Sequence, residues 1–85
     1  MYINKVRHCY NQGLLRDPRL AGRVSVKFRI VASGQVEGAA LADATLADTG
    51  VQTCLVTAVG RWTFPKPTGG ASGIDITYPF VFEPG

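Results

Sequence analysis

The sequence predicts an α+β fold, a two-layer sandwich in which two helices cover one face of a three-stranded antiparallel sheet. Two segments carry apolar residues at the helical period, and two carry them at alternate positions, which is typical of half-buried strands. A third strand is predicted from a poorly patterned, alanine-rich segment between them. The predicted order is helix, strand, strand, helix, strand. With 85 residues, the chain has room for a single domain spanning 1–85.

The first helix is predicted from about Ile3 to Arg16. One face of this helix carries an apolar stripe formed by Ile3, Val6, Tyr10 and Leu14. Cys9 lies beside this stripe. Asp17-Pro18 ends the helix, because the residue before a proline is disfavoured in the helical region.

The first strand is predicted from Arg23 to Ile30, where the period changes from 3.6 to 2. Its apolar positions are Val24, Val26, Phe28 and Ile30, and they alternate with a polar face that carries Arg23, Lys27 and Arg29. Gly34 follows in a short turn, where glycine can adopt a positive φ. A second strand, roughly Val36 to Thr45, returns antiparallel with an alanine-rich pattern.

The second helix begins near Thr49. Thr49-x-x-Gln52 has the form of a capping box, and Asp48 is a competing N-cap. The apolar face of this helix consists of Val51, Cys54, Leu55, Ala58, Val59 and Trp62. Phe64-Pro65 is predicted to end it.

The third strand is predicted from Ile74 to Phe82, after a Pro/Gly loop that runs from Pro65 to Gly73. Its apolar positions alternate, with the aromatic residues on one face. Pro79 cannot donate a hydrogen bond to a ladder, so the pattern favours an edge strand. A right-handed crossover through the second helix places this strand beside the first and gives the spatial order 2-1-3.

In this arrangement both helices lie on the same face, which brings Cys9 and Cys54 onto neighbouring helices. Two readings are open for these residues. They are buried thiols that behave as small apolar residues, or they form a disulfide, which is the reading we favour. A disulfide implies an oxidising compartment.

The sequence shows no catalytic constellation, so we expect no enzyme and no cofactor. His8 is the only histidine, and its neighbour Cys9 does not face it on a helix. Helix capping explains Asp48 without catalysis, and the glycines at Gly69-Gly70 lack the context of a phosphate loop. The net charge of +3 comes without a long basic run, so no nucleic acid is expected as a partner.

Two surfaces remain as candidate binding sites. The polar face of the first strand, with Arg23, Lys27 and Arg29, suits an anionic partner, or it is simply a solvated strand face. The last strand is an open edge that suits an extended peptide added as a further strand, or it is simply a short, proline-blunted edge.

Three segments resemble the C-terminal domains of TonB-type proteins. The first is 22–30 followed by Gly34-Gln35-Val36, which resembles the opening strand and turn. The second is 61–67, in which Trp62-Thr63-Phe64-Pro65-Lys66-Pro67 resembles the Trp-x-Phe-x-Pro signature near the end of the second helix. The third is 76–82, which resembles the last strand. Within this group, Cys9-Tyr10, Cys54 and Tyr78-Pro79-Phe80-x-Phe82 resemble the AgmX/PglI C-terminal domains of envelope and gliding-motility proteins.

The resemblance implies a periplasmic, protein-binding module at the C-terminus of a longer protein anchored in the inner membrane. The parent would couple to a proton-driven motor, and the domain would bind a segment of an outer-membrane or periplasmic protein. In such complexes the partner adds beside the final strand. The resemblance therefore predicts a binding strand formed by Ile74, Asp75, Ile76, Thr77, Tyr78, Phe80, Val81 and Phe82. Domains of this kind also allow a strand-exchanged homodimer.

The alternative hypothesis is a structural module that binds peptidoglycan or another anionic envelope polymer. Its contacts would come from the basic face of the first strand, Arg23, Lys27 and Arg29. Binding of this kind is expected to weaken steeply with salt.

Overall fold

The computed structural model describes residues 3–65 and 73–84, with side chains from residue 5 onward. The predicted α+β class and element order are confirmed. The elements are helix α1 (Ile3–Arg16), strand β1 (Gly22–Val31), strand β2 (Val36–Ala44), helix α2 (Thr49–Gly60) and strand β3 (Gly73–Phe82). The sheet order is β2-β1-β3, as predicted, and both pairings are antiparallel.

The two ladders of the sheet differ in regularity. β1 and β3 pair through ten consecutive residue pairs, from Gly22 opposite Phe82 to Val31 opposite Gly73. The β1–β2 ladder shifts register twice, at Ser25/Val26 and again between Lys27 and Arg29. At each shift β2 contains one residue more than β1, which is the geometry of a β-bulge. The alanine-rich β2 pattern, in which no side-chain alternation fixes the register, fits this irregularity.

The core lies between the helices and the inner face of the sheet. β1 supplies Val24, Val26, Phe28 and Ile30, all of them buried. The helices supply Val6, Cys9 and Tyr10 from α1, and Val51, Leu55, Ala58 and Val59 from α2, also buried. Both predicted helical stripes therefore face the core, apart from Ile3, whose side chain is outside the described residues.

The helices are held together by a close approach and a covalent bond. Gly13 allows the approach, because a Cβ at this position would lie 2.5 Å from side-chain atoms of both Leu20 and Val51. About one turn closer to the start of α1, Cys9 forms a disulfide with Cys54, and their Cα atoms are 5.5 Å apart. The favoured reading of the two cysteines is thus confirmed.

The ends of α2 differ from the prediction in two details. Asp48 is the N-cap, and its carboxylate accepts a hydrogen bond from the Val51 N–H at 3.0 Å. The capping box at Thr49 is wrong, since the Gln52 amide donates instead to the Leu46 carbonyl at 2.7 Å. The helix also ends at Gly60, before Phe64-Pro65, so Trp62 lies beyond it.

Asp48 also links the two helices electrostatically. Arg16 donates from Nε and Nη2 to the two Asp48 carboxylate oxygens at 3.0 and 2.9 Å. These bonds, and then the Val51 N–H, lower the pKa of Asp48 below its ordinary value of 3.8. The same contact raises the pKa of Arg16.

The disulfide predicts the redox behaviour and the stability of the domain. A thiol assay on unreduced, denatured protein is expected to find no free thiol. Replacing both Cys9 and Cys54 by serine should lower the unfolding free energy by about 4 kcal/mol, because the bond closes a loop with a sequence separation of 45 residues. Two reactive thiols in the native protein would contradict the assignment.

The lowered pKa of Asp48 predicts a stability difference that depends on pH. Its ionised form stabilises the fold above pH 3.8, and this contribution is lost as the pH falls through the lowered folded-state pKa. Asp48→Asn keeps an oxygen for the Val51 N–H but removes the charge facing Arg16. Urea unfolding should therefore show a gap between the wild type and Asp48→Asn at pH 7 that narrows toward pH 2, and a constant gap would refute the linkage.

Candidate functional site

β3 lies at one edge of the sheet and pairs on one side only, with β1. Among the described residues no strand covers its other side. An open edge of this kind presents backbone N–H and C=O groups to solvent, and these groups can pair with another chain. Which residues present them depends on the direction of each peptide group.

The hydrogen bonds of β1 fix that direction. Arg23 donates its N–H to the Thr45 hydroxyl at 2.8 Å, and its carbonyl accepts from the Thr45 N–H at 2.8 Å. Val31 likewise donates to the Gln35 carbonyl at 3.0 Å and accepts from the Gly34 N–H at 2.8 Å. All of these bonds lie on the β2 side. Because peptide groups alternate along a strand, the odd-numbered residues of β1 face β2 and the even-numbered residues face β3.

The register then assigns every residue of β3. Even-numbered residues of β1 stand opposite even-numbered residues of β3, such as Val24 opposite Phe80. The residues that bond to β1 are therefore Ile74, Ile76, Tyr78, Phe80 and Phe82. Those that direct their backbone groups to the open edge are Gly73, Asp75, Thr77, Pro79 and Val81. Pro79, which has no N–H, occupies an outward position and so costs the β1–β3 ladder no hydrogen bond.

The predicted binding strand thus divides into two sets of residues. The odd-numbered set offers backbone groups to a partner, and its side chains lie on the outer face of the sheet, away from the helices. The even-numbered set bonds to β1 and places its side chains on the inner face. The structure therefore brings the predicted residues into one strand but gives them two different roles.

Apolar side chains are unusually exposed on this strand. Val81 is 68% exposed, Tyr78 50% and Ile74 43%, although all three are large and apolar or aromatic. Helix α2 packs on β1 and β2, and α1 reaches β3 through Tyr10, which stacks on Phe82. The inner face of β3 is therefore only partly covered. An exposed apolar group next to an open strand edge is typical of a protein-binding surface.

A groove of about 470 Å³ runs along this edge. It is bounded by Val6 and Arg7 of α1, by Trp62, and by residues Tyr78 to Phe82 of β3. We refer to it below as the edge groove. Because residues 78–82 of this edge strand line the groove, a strand added beside β3 would place its inward side chains next to it.

Packed aromatic rings form the wall of the edge groove. The rings of Trp62 and Phe80 lie 5.9 Å apart in an edge-to-face contact. Tyr78 contacts Phe80 with ring centroids 4.9 Å apart, and Phe82 stacks on Tyr10 at 4.6 Å. Aromatic contacts of this geometry hold the rings in defined positions. The wall is therefore a preformed surface.

Sequence reasoning did not identify three parts of the edge groove. The sequence pattern predicts Val6 in the core and Trp62 on the apolar face of α2, and it gives Arg7 no role. The sequence predicts that Pro79 weakens the edge, yet its carbonyl faces outward and can still accept a hydrogen bond there. The arrangement of Val6 and Arg7 beside β3 depends on how α1 crosses the sheet, which no local sequence pattern specifies.

The predicted basic face is present but largely neutralised. Arg23, Lys27 and Arg29 are odd-numbered residues of β1 and therefore share the outer face of the sheet. Arg23 pairs with Asp43 at 2.9 Å. Arg29 donates two hydrogen bonds to Asp75, at 2.8 and 3.1 Å, which lower the pKa of Asp75 and raise that of Arg29.

The structure shows where some of the groups considered for chemistry in the sequence lie. His8 is exposed on α1, and Cys9 is held in the disulfide. Within residues 3–65 and 73–84, no cluster of His, Cys, Asp and Glu side chains could hold a metal ion. The Gly69-Gly70 pair, Lys66-Pro67 and most of the Pro/Gly loop lie outside the described residues.

No family model, curated protein or solved structure matches this chain. In the part of the chain that the structure describes, neither helix is long and apolar enough to cross a membrane.

The assignment of outward and inward backbone groups predicts an alternating pattern of amide hydrogen exchange along β3. Amides of Asp75, Thr77 and Val81 should exchange quickly, and those of Ile76, Tyr78, Phe80 and Phe82 should be protected by their bonds to β1. Exchange measured residue by residue by NMR tests this. Uniform protection along the strand in the monomer would contradict the assignment.

Proposed function

We propose that this domain is a protein-binding module of the periplasm that docks a segment of an outer-membrane or periplasmic protein by strand addition at β3. The partner would extend the sheet to the order β2-β1-β3-partner. The observation that carries this proposal is the open, regular edge of β3 beside the edge groove. Its backbone groups would supply affinity, and its side chains would supply selectivity.

The two edges of the sheet are unequal, and the comparison favours β3. β2 is interrupted by two bulges, which bend a strand and break the spacing of its outward groups. β3 is regular through all ten pairs with β1. Its outward groups therefore keep the spacing that an added strand requires, with N–H donors at Asp75, Thr77 and Val81.

Selectivity would come from the alternate side chains of the partner. In an added strand, the side chains that stand beside Tyr78 and Phe80 lie on the inner face and enter the edge groove. The aromatic wall favours apolar or aromatic side chains there. Arg7 is exposed at the rim of the groove, so a neighbouring carboxylate on the partner would be attracted to it.

The location of the module rests on the disulfide and on sequence resemblance. The Cys9–Cys54 bond suits an oxidising compartment such as the periplasm. The resemblance to TonB-type C-terminal domains, and to their AgmX/PglI subgroup, supports a parent anchored in the inner membrane and coupled to a proton-driven motor. In that setting the contact at β3 would pass motor-driven motion to envelope components, such as those of gliding motility.

The anionic-polymer alternative receives less support from the charges on the outer face. Two of its three basic residues are held by carboxylates, Arg23 by Asp43 and Arg29 by Asp75. Glu37 lies opposite Arg29 in the β1–β2 ladder and adds a third negative charge. The three carboxylates equal the three basic groups in number, so the face offers little net attraction to an anionic polymer.

Photo-crosslinking in the native envelope tests the proposal with the full-length parent. A photoreactive side chain at Val81 is expected to crosslink to an outer-membrane or periplasmic protein, because Val81 is exposed and lies at the open edge. The same side chain at Lys27, in the middle of the outer face, is the control. Crosslinks from Lys27 alone, or only to cell-wall material, would contradict the proposal and indicate that the basic face is the binding site.

Two substitutions at Val81 then separate the backbone contribution from the side-chain contribution. Val81→Pro removes an outward N–H and no bond to β1, so it should weaken crosslinking from a nearby edge position, such as Thr77, while circular dichroism and the melting temperature stay near those of the wild type. Val81→Thr keeps the N–H and should leave the yield of crosslinked partner at the wild-type level. Equal yields of crosslinked partner for the two variants would argue against strand addition.

A further inference from the structure

The open edge of β3 can pair with a second copy of itself as well as with a partner, because it is a regular strand edge. β3 is ten residues long, regular, and rich in exposed apolar side chains. These are the properties of an edge prone to self-association. Pro79 is the only proline within the strand, and it lies among the outward-facing residues.

Self-pairing has a definite hydrogen-bond geometry. In an antiparallel pair of β3 strands, the bonded positions are the outward residues, so odd-numbered residues stand opposite odd-numbered residues. Each such pair normally forms two N–H to C=O bonds. A pair that contains Pro79 forms one, and a pair of two Pro79 residues forms none. Every two-fold register that includes Pro79 from both copies therefore loses two hydrogen bonds.

These losses fall inside both of the two-fold registers that overlap most, each of which pairs nine residues of β3. When Gly73 stands opposite Val81, Asp75 stands opposite Pro79. When Asp75 stands opposite Val81, Thr77 stands opposite Pro79 on both sides of the two-fold axis. Each Thr77 carbonyl then faces a proline ring instead of an N–H. An acceptor left without a donor inside an interface carries the cost of its lost solvation.

A strand from another protein that pairs with β3 loses one hydrogen bond at Pro79, not two. Its residue opposite Pro79 can still donate to the Pro79 carbonyl, and only its own carbonyl is left without a donor. We infer that Pro79 is a specificity-determining residue, which disfavours pairing of β3 with a second copy and leaves the edge for a strand of different sequence. This inference rests on the proposed strand addition at β3.

The experiment compares the oligomeric state of three proteins by sedimentation equilibrium. The wild type should be monomeric at concentrations where Pro79→Thr dimerises, since threonine restores the outward N–H and suits a strand. Two restored bonds should tighten dimerisation by about tenfold or more. Pro79→Thr combined with Val81→Pro moves the proline to the next outward position, and this matched control should return to the monomer.

Hydrogen exchange identifies the interface in any dimer that forms. In the Pro79→Thr dimer the Thr77 and Val81 amides should become protected, whereas a strand-exchanged or face-packed dimer would leave them exposed at the edge. Equal self-association of the wild type and Pro79→Thr, or dimerisation of the relocated-proline control, would overturn the inference.

This outcome is independent of the test for partner binding. If Pro79→Thr stays monomeric while Val81→Pro abolishes partner crosslinking, the selectivity role of Pro79 fails and strand addition stands. If Pro79→Thr dimerises through β3 but no partner crosslinks at Val81, the edge is competent for pairing and the proposed function fails.

Discussion

The register of β3 against β1 is the constraint on which the candidate site depends. Ten consecutive pairs fix which residues of β3 bond inward and which turn outward. The same register places Tyr78 and Phe80 on the inner face, where they form the edge groove with Trp62. A shift by one residue would exchange both sets at once, because side chains and peptide groups alternate together. Backbone pairing and side-chain recognition are therefore set by a single structural parameter.

The disulfide contributes to the site indirectly, through the position of the helices. Cys9 and Cys54 join α1 to α2, and Gly13 allows the same two helices to approach closely. Helix α2 lies over β1 and β2, and Tyr10 of α1 stacks on Phe82, while Ile74 and Tyr78 on the inner face of β3 stay exposed. The core of the described residues is small, so a covalent link between the helices adds stability that apolar burial alone does not supply.

Most of the fold could be predicted from local sequence patterns, and the parts that could not depend on tertiary contacts. The helices and β1 have clear periods, and Pro79 marked β3 as an edge. The N-cap of α2 was ambiguous because Asp48 and Thr49 both satisfy capping rules, and the contact with Arg16 is what favours Asp48. Of the two bulges of β2, the one at Gly38, whose φ is +65°, has a signal in the sequence, because an isolated glycine within a strand suggests a bulge. The other, between Leu41 and Asp43, has none.

The candidate site shows the same division. The strand itself followed from alternation and from resemblance, but the edge groove did not, since it combines residues from α1, β3 and the segment after α2. The basic face was correctly placed on one side of β1, yet its net charge depends on Asp43 and Asp75, which come from neighbouring strands. A sequence pattern shows the charges of one strand, whereas a binding partner interacts with the net charge of all strands on that face.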